Sequence, residues 1–441
     1  MRFSIFSTLA LAANAVSAAT TTTQADTETN TSLQTTLAST TSIAVASGCS
    51  FSKPFTATAQ ADLDKLAGCE AVEGDIVIGG SLGSASIANV KAVYGDLTIN
   101  NATQLEFFAA DSITTITGSL KLHALTVLST LSFGSLTSVG AIDWVTLPNL
   151  TSTGLSKVAD CNSILVSDTM ISSLDGINPR HVEIFNVNNN FNLGSITSNI
   201  ETVSNALSVA FNGDNTVVEF DDLVWANNLT FYSVASISMP QLQAVNKSAG
   251  FFESSVEELN FPLVTSIGAD LTIENNNYLN YIDFANVTAI GGGLVIVNNT
   301  DLVSVDNLDS IKTVQGAVIL KGDFDNCSMD SLRTVRGAFD LETSGYASCA
   351  PFKKLSKNGG IQGDFTCKAK TRPTSSSTTS SSTKDSKTSS SDSESQTASD
   401  DSSSSSATGS VSSISSTSHG GAAILGTSVF GSVAAVLLAL L

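Results

Sequence analysis

Short apolar triplets recur along the chain at intervals of 20 to 24 residues. Each triplet places two apolar side chains two positions apart, and this alternation puts both on one face of a short β-strand. The first apolar residue of the triplet, here called the anchor, occurs at Ile76, Leu97, Leu120, Ile142, Ile164, Phe185, Leu207, Leu229, Ala249, Leu271, Leu294, Val318 and Phe339. The pattern predicts about 13 repeats of about 22 residues each.

The second half of each repeat carries further apolar residues, most clearly Leu279, Ile282, Phe284, Val287 and Ile290. No repeat can bury such a face alone, whereas parallel stacking pairs each strand with the one below it at about 4.8 Å. We therefore predict an all-β fold, a single-chain parallel β-solenoid forming a rod about 60 Å long. Helical leucine-rich repeats are the structural rival, but the return segments are rich in Thr, Ser, Val and Ile, which favour strands.

Asparagines follow many of the triplets. They are predicted to form a structural ladder in which an inward Asn at each corner bonds the backbone of neighbouring turns, and their tolerance of left-handed backbone suits such a bend. Two residues, Asn101 and Asn298, also begin glycosylation sequons, so the two roles are expected to compete there. The asparagines concerned are Asn100, Asn188, Asn189, Asn190, Asn212, Asn275, Asn276, Asn277, Asn298 and Asn299.

Both ends of the chain have the composition of processing signals. Residues 1–18 combine Arg2, an apolar run and a small-residue exit, as a secretory signal does. A Thr-rich segment covers 19–47, and the predicted solenoid covers 48–368. In the segment that follows, 369–418, 33 of the 48 residues from Thr371 to Ser418 are Ser or Thr, which predicts an O-glycosylated stalk.

The last segment, 419–441, reads as a glycosylphosphatidylinositol (GPI) attachment signal that is removed. A single-pass membrane helix is its competitor, but no Lys or Arg follows the apolar run. The candidate attachment residues are Gly409, Ser410, Ser413, Ser418 and Gly420.

The glycosylation sequons and the net charge of −20 fit a secreted surface protein. Such a charge argues against nucleic acid or an anionic membrane surface as a partner. The eight sequons begin at Asn30, Asn101, Asn149, Asn228, Asn246, Asn286, Asn298 and Asn326.

Six cysteines in an oxidising compartment predict disulfides, and the solenoid limits the pairings. Cys161 and Cys327 lie about seven turns apart, too far for a bridge that needs Cα atoms within about 7 Å. We predict Cys49 bonded to Cys69 in a cap with a short helix over 60–66, and Cys349 bonded to Cys367 at the far end. A bridge between Cys327 and Cys349 is the competing pairing.

Several stretches resemble a known family: "TATAQADLDKLAGC", "FNGDNTVVEFDDLVWANNLT" and "AIGGGLVIVNNT", together with the closing cysteine cap, the stalk and the tail. They are similar to the fungal GPI-anchored cell-wall organisation family, whose members resemble the leucine-rich L domains of receptor ectodomains. The resemblance implies a glycoprotein of the plasma membrane and cell wall, needed for wall integrity and without established enzymatic activity. It supports the two terminal disulfides, whereas Cys161 and Cys327 depart from the family pattern.

A catalytic site on a β-helix needs carboxylates, or a metal with a base, brought together on adjacent turns. Acidic pairs such as Asp221-Asp222 read as solvated turns, and the histidines lack ligand spacing. We therefore expect no catalytic residue, metal or cofactor. Trp225, beside Asp221 and Asp222, is the candidate glycan contact, although no row of exposed aromatics is apparent.

Two functions remain at this point. The favoured one is a non-catalytic, GPI-anchored surface glycoprotein that acts as a rigid scaffold or binder of wall components. Its expected partners are wall polysaccharides or wall glycoproteins, with the membrane contacted through the lipid, and a monomer is expected. The alternative is a carbohydrate-active enzyme or glycan receptor of the wall.

Overall fold

The computed structural model describes residues 42–213 and 215–371. Within them the chain forms a parallel β-solenoid of about 14 turns with very little helix. All thirteen anchors stack in one register, from Ile76 opposite Leu97 through to Val318 opposite Phe339. The ladder gains one strand at each end, because Phe55 pairs with Ile76 and Phe365 pairs with Phe339.

Three faces make up each turn, and the anchor triplets form face 1. Its separate strands are β1 (Phe55–Ala57), β3 (Ile76–Ile78), β6 (Leu97–Asn100), β17 (Leu229–Tyr232), β20 (Ala249–Phe252), β23 (Leu271–Glu274), β26 (Leu294–Val297), β29 (Val318–Gly322), β32 (Phe339–Thr343) and β33 (Phe365–Lys368). Five longer strands also contribute to face 1: β8 (Thr115–His123), β10 (Ser138–Leu147), β11 (Asp160–Thr169), β12 (His181–Asn188) and β14 (Thr202–Ala210).

The return segments form the other two faces. Face 2 contains β4 (Ser84–Ser86), β7 (Phe107–Ala109), β9 (Thr130–Ser132), β13 (Ser195–Thr197), β15 (Val217–Glu219), β18 (Ser236–Ser238), β21 (Glu258–Asn260), β24 (Tyr281–Asp283), β27 (Ser304–Val305) and β30 (Asn326–Cys327). Face 3 contains β2 (Ala71–Glu73), β5 (Ala92–Tyr94), β16 (Trp225–Ala226), β19 (Ala244–Val245), β22 (Ser266–Ile267), β25 (Ala289–Ile290), β28 (Thr313–Val314) and β31 (Thr334–Val335). The return segments are therefore strands, and the helical rival is wrong.

The core runs the length of the rod as one continuous cluster of buried side chains. Both apolar positions of every triplet are buried, and so are the return residues Leu279, Ile282, Phe284, Val287 and Ile290. Large rings pack against each other between turns, as when Phe251 stacks on Phe231 with centroids 5.7 Å apart. Each turn thus buries its apolar face against its two neighbours, as the repeat pattern requires.

A left-handed residue turns the chain at the end of face 1. Four positions after the anchor, ten consecutive turns carry a non-glycine residue with positive φ: Asn101, Ala124, Thr146, Asp168, Asn189, Phe211, Ser233, Glu253, Asn275 and Asn298. Asn tolerates this conformation best. The expected fit of Asn to the bend is confirmed at four of these positions, and stacking imposes the same geometry on other residue types elsewhere.

Both ends of the rod are closed by a helix and a disulfide. Helix α1 (Gln60–Leu63) continues into a 3₁₀ turn (Asp64–Leu66), as predicted for this cap. Cys49 is bonded to Cys69 and Cys349 to Cys367, each with Cα atoms 5.9 Å apart. Both predicted bridges are confirmed, and the competing bridge from Cys327 to Cys349 is wrong.

The remaining cysteines and the second helix complete the description of the ends and core. Cys161 and Cys327 are unpaired and buried. Helix α2 (Ala350–Lys357), which the sequence pattern did not predict, packs Phe352 on Phe339 with ring centroids 4.6 Å apart. This contact covers the last core layer of the rod.

The signal segment 1–18, Asn30 and the whole attachment signal with its five candidate residues lie outside the described residues. Most of the Thr-rich segment 19–47 and nearly all of the stalk 369–418 also lie outside them. These boundaries stay predictions.

Candidate functional site

The buried asparagines form a structural ladder at the corner after face 1. Asn276 donates from Nδ2 to the Phe251 carbonyl at 3.0 Å, and its Oδ1 accepts from the Ser254 amide at 3.0 Å. In the next turn, Asn299 donates to the Ile273 carbonyl at 3.0 Å and accepts from the Asn276 amide at 2.9 Å. These side chains satisfy the backbone at the bend, so they are not available for ligand binding.

A second pair repeats the arrangement nearer the middle of the rod. Asn190 and Asn212 are buried and donate to the carbonyls of Val166 and Val187, at 3.1 and 2.9 Å. The predicted ladder is thus confirmed for the asparagine five positions after the anchor. The preceding asparagine occupies the left-handed corner position and faces outward, as Asn275 and Asn298 do.

The expected competition between ladder and sequon does not arise. Asn298 is exposed, and its buried neighbour Asn299 makes the ladder hydrogen bonds. Asn101 is exposed as well. At Asn298 and Asn299 adjacent residues divide the two roles, because one is exposed and the other is buried.

The sequon asparagines in the described part of the chain lie at the surface. Asn101, Asn149, Asn246, Asn286, Asn298 and Asn326 are exposed, and Asn228 is half-buried. Attachment of a glycan needs an accessible side-chain amide, which these positions provide. Their glycosylation stays a prediction.

The candidate glycan contact proposed from sequence is on face 3. Trp225 is half-buried and begins β16, where it pairs between Thr202 and Ala244. Asp221 and Asp222 lie exposed in the turn before it, and Asp221 accepts a hydrogen bond from the Ser238 hydroxyl at 2.9 Å. The three residues are near one another in sequence, but none of them lines the groove described below.

A row of three stacked aromatic rings stands instead at face 1, with one ring exposed and two half-buried. Tyr232 stacks on Phe252 with ring centroids 4.6 Å apart and on Phe211 at 5.3 Å. Phe211 is 42% exposed. Successive rings are 21 and 20 residues apart in sequence. Phe211 lies four positions after its anchor, whereas Tyr232 and Phe252 lie three positions after theirs. A comparison of the same repeat position in successive turns of the sequence therefore does not reveal the row.

A groove of about 610 Å³ continues from this row along the corner after face 1. Phe252, the last ring of the row, directly precedes Glu253 at the start of the groove. The groove crosses four successive turns and is lined by Glu253, Asn275, Asn277, Asn298, Asn299, Thr300, Gly322 and Asp323. Neutral polar side chains therefore outnumber the two carboxylates. Tyr278, next to Asn277, is 62% exposed beside the groove.

The groove carries negative charge and no basic side chain. Within the described residues neither Glu253 nor Asp323 forms an ion pair, and the lining contains no Lys, Arg or His. Burial raises the pKa of Tyr232, and the nearby carboxylates Glu253 and Glu274 raise it further. The Tyr232 hydroxyl is therefore protonated at neutral pH and can donate a hydrogen bond.

The two groove carboxylates are widely separated. Glu253 and Asp323 belong to turns three rungs apart, which places them about 14 Å apart along the rod. Paired carboxylates of glycosidases are about 5 to 9.5 Å apart. Among the residues the structure describes, no cluster of three His, Cys, Asp or Glu side chains could hold a metal ion.

Comparison with known proteins places the chain among fungal surface proteins. It is 42% identical over 313 residues to the cell wall mannoprotein PST1 of Saccharomyces cerevisiae, covering 70% of each chain. It is 33% identical over 335 residues to the protein ecm33 of Aspergillus fumigatus, covering 74% of this chain and 84% of that one. A Candida albicans cell surface GPI-anchored protein, ECM33, is 34% identical over 335 residues, with 75% and 81% covered.

The chain belongs to this family of fungal cell-wall proteins. As a member of the family, it is a GPI-anchored glycoprotein of the cell wall and the outer face of the plasma membrane, with a role in wall organisation. No family model and no solved structure matches it. Across residues 42–213 and 215–371, no helix is long and apolar enough to span a bilayer.

Proposed function

We propose that the protein organises the wall as a non-catalytic, lipid-anchored scaffold that binds wall components along a rigid rod. The observation that carries the proposal is the unbroken ladder of face 1, which runs from Phe55 to Phe365 without a missing rung. Fifteen rungs at about 4.8 Å give a rod about 67 Å long. Such a rod holds the groove and surface glycans at fixed spacings.

The names of the three relatives described above are those of wall or surface proteins, and none of them names an enzyme. Wall polysaccharides and wall glycoproteins are the proposed partners. We propose a monomer, because the cap at each end covers the strand that would otherwise pair with a second copy.

To test the non-catalytic role directly, the secreted chain is incubated with oligosaccharides of β-glucan, chitin and mannan, and the masses of the oligosaccharides are measured over time. We expect the masses to stay unchanged at every protein concentration. New product masses would overturn the proposal. In that case Glu253→Gln and Glu274→Gln are the first variants to test, because both carboxylates are close enough to Tyr232 to raise its pKa.

A further inference from the structure

We infer that the groove of Glu253, Asn275, Asn277, Asn298, Thr300 and Asp323, with the aromatic row of Phe211, Tyr232 and Phe252, binds a neutral polysaccharide chain lying along the rod axis. The inference rests on the proposed function, because it names the ligand class and the site through which the scaffold holds the wall.

The shape of the groove suits a linear polymer. Its lining comes from the turns that begin at Ala249, Leu271, Leu294 and Val318, so its long direction follows the stacking of turns. The distance spanned by these four turns is about 14 Å. A chain molecule can lie along such a corner and continue beyond both of its ends, whereas a small solute would leave most of the lining unused.

The chemistry of the lining suits hydroxyl groups. The side chains of Asn275, Asn277 and Asn298 each offer two donors and one acceptor, and Thr300 offers a hydroxyl. The buried asparagines of the ladder satisfy the backbone at this corner. The Asn277 Oδ1 accepts a hydrogen bond from the Thr300 hydroxyl at 2.9 Å, which leaves the Asn277 amide donors and the outward amides of Asn275 and Asn298 for a ligand. Amide and hydroxyl groups form donor and acceptor pairs with the hydroxyls of a sugar.

Charge decides between neutral and anionic polysaccharides. The lining holds two carboxylates and no basic group, and the whole chain carries −20. A phosphorylated or carboxylated polymer would place like charges side by side in the groove. A neutral polymer meets no such repulsion.

The aromatic surfaces supply the apolar part of the contact. Tyr278, which follows the lining residue Asn277, is 62% exposed, and Phe252, at the end of the stacked row, directly precedes the lining residue Glu253. Gly250 leaves room for the Phe252 ring to lie over β20, since a Cβ there would come within 2.4 Å of the ring. The apolar faces of sugar rings pack against aromatic side chains of this kind.

Asn298 adds a constraint on the experiment. It lines the groove and begins a sequon, so an N-glycan attached there would occupy the site. Binding is therefore measured on the secreted full chain after its N-glycans have been trimmed to the first sugar under native conditions. The probes are soluble β-1,3-glucan, mannan and chitin oligosaccharides, with a phosphorylated mannan as the anionic comparison.

The chain offers a matched pair of variants within one turn. Asn277→Ala with Tyr278→Ala removes an amide that lines the groove and the ring that follows it, whereas Asn280→Ala with Tyr281→Ala removes the same groups three residues further on, where neither lines the groove. All four side chains are exposed, so both double variants are expected to fold. We expect the groove pair to weaken binding of a neutral oligosaccharide about tenfold, and the outer pair to leave it unchanged.

Three results would overturn the inference: no binding of any neutral probe, equal loss in both double variants, or preference for the phosphorylated mannan. The outcomes separate it from the proposed function. If a bound probe is cleaved, the proposed non-catalytic function is wrong, whereas the groove remains the sugar-binding site. If the protein binds no neutral probe and its groove variant still supports wall integrity, the groove is not a polysaccharide site, and the proposed scaffold function still stands.

Discussion

At the scale of single residues, the corner after face 1 separates structural from surface chemistry. Asn276 and Asn299 are fully buried and bond the backbone of adjacent turns. The neighbouring amides of Asn275, Asn277 and Asn298 face the groove. Sequence reasoning predicted an asparagine ladder but assigned every asparagine to it, because residue type alone does not show which side of a bend a residue faces. The burial pattern in three dimensions resolves the difference.

The ladder makes a stability prediction. Asn276→Ala leaves the Phe251 carbonyl and the Ser254 amide without partners in a buried corner, so the free energy of unfolding should fall by about 3 kcal/mol. Denaturant titration of the variant and the unmodified protein measures this difference in the free energy of unfolding. The neighbouring variant Asn277→Ala is the control and should change stability by less than about 0.5 kcal/mol, because Asn277 is exposed. Equal losses in the two variants would contradict the ladder.

The two unpaired thiols make a second prediction at this scale. Burial raises the pKa of Cys161 to about 11 and of Cys327 to about 12, and nearby Asp309 and Asp306 add to the shift at Cys327. Because the thiolate is the reactive form, neither residue should be alkylated at pH 8 in the native protein. Unfolding without reduction should expose these two thiols, and mass spectrometry should then show two added alkyl groups. Rapid labelling of the native chain would show that the thiols are accessible.

At the scale of elements, close backbone contact at the corner before face 1 holds the turns together. A Cβ on Gly316 would lie 2.7 Å from the backbone of Gly292 and Gly293 in the turn below. Small residues before the anchors were predicted to mark a tight turn into the strand. The sequence pattern did not reveal that these turns also stack directly on one another, because this contact joins residues 23 or 24 positions apart.

This contact predicts a cost for one added methyl group. Gly316→Ala forces the two turns apart and should destabilise the protein by about 1 to 3 kcal/mol. Gly194→Ala is the matched control, since a Cβ there meets nothing within 4 Å, and it should be neutral or slightly stabilising. Thermal or denaturant unfolding compares the two variants. A harmless Gly316→Ala would mean that the turns are less tightly stacked.

The terminal caps predict a change in association. Cys349→Ser with Cys367→Ser removes the bridge that holds α2 beside β33, and should lower the free energy of unfolding by about 2 to 4 kcal/mol. The freed last strand should then pair with other copies, so light scattering should show concentration-dependent oligomers. The double variant Cys161→Ser with Cys327→Ser is the comparison, which should remain monomeric because neither residue lies in a cap. Monomers in both cases would show that the cap does not protect the end.

At the scale of the whole molecule, the repeat pattern predicted the fold well. The period of about 22 residues predicted thirteen rungs in the correct register, and the positions of the cysteines predicted both caps. It missed the outermost rungs at Phe55 and Phe365, because the cap sequences interrupt the period there. It also missed the groove, since the groove depends on which side chains of successive turns face outward together. A search for row patterns at slightly varying offsets could have found Phe211, Tyr232 and Phe252.

The central claim is that the protein acts on the wall stoichiometrically, as an anchored scaffold, and not by turnover. In the most direct measurement, the full chain is expressed from a titratable promoter in cells that lack it. The number of anchored copies per cell is then compared with the resistance of the cells to a wall-binding dye. Our account predicts that resistance rises in proportion to copy number up to the native level. Full resistance at about one tenth of the native copy number would contradict it, because only a catalyst or a signal could act at that dose.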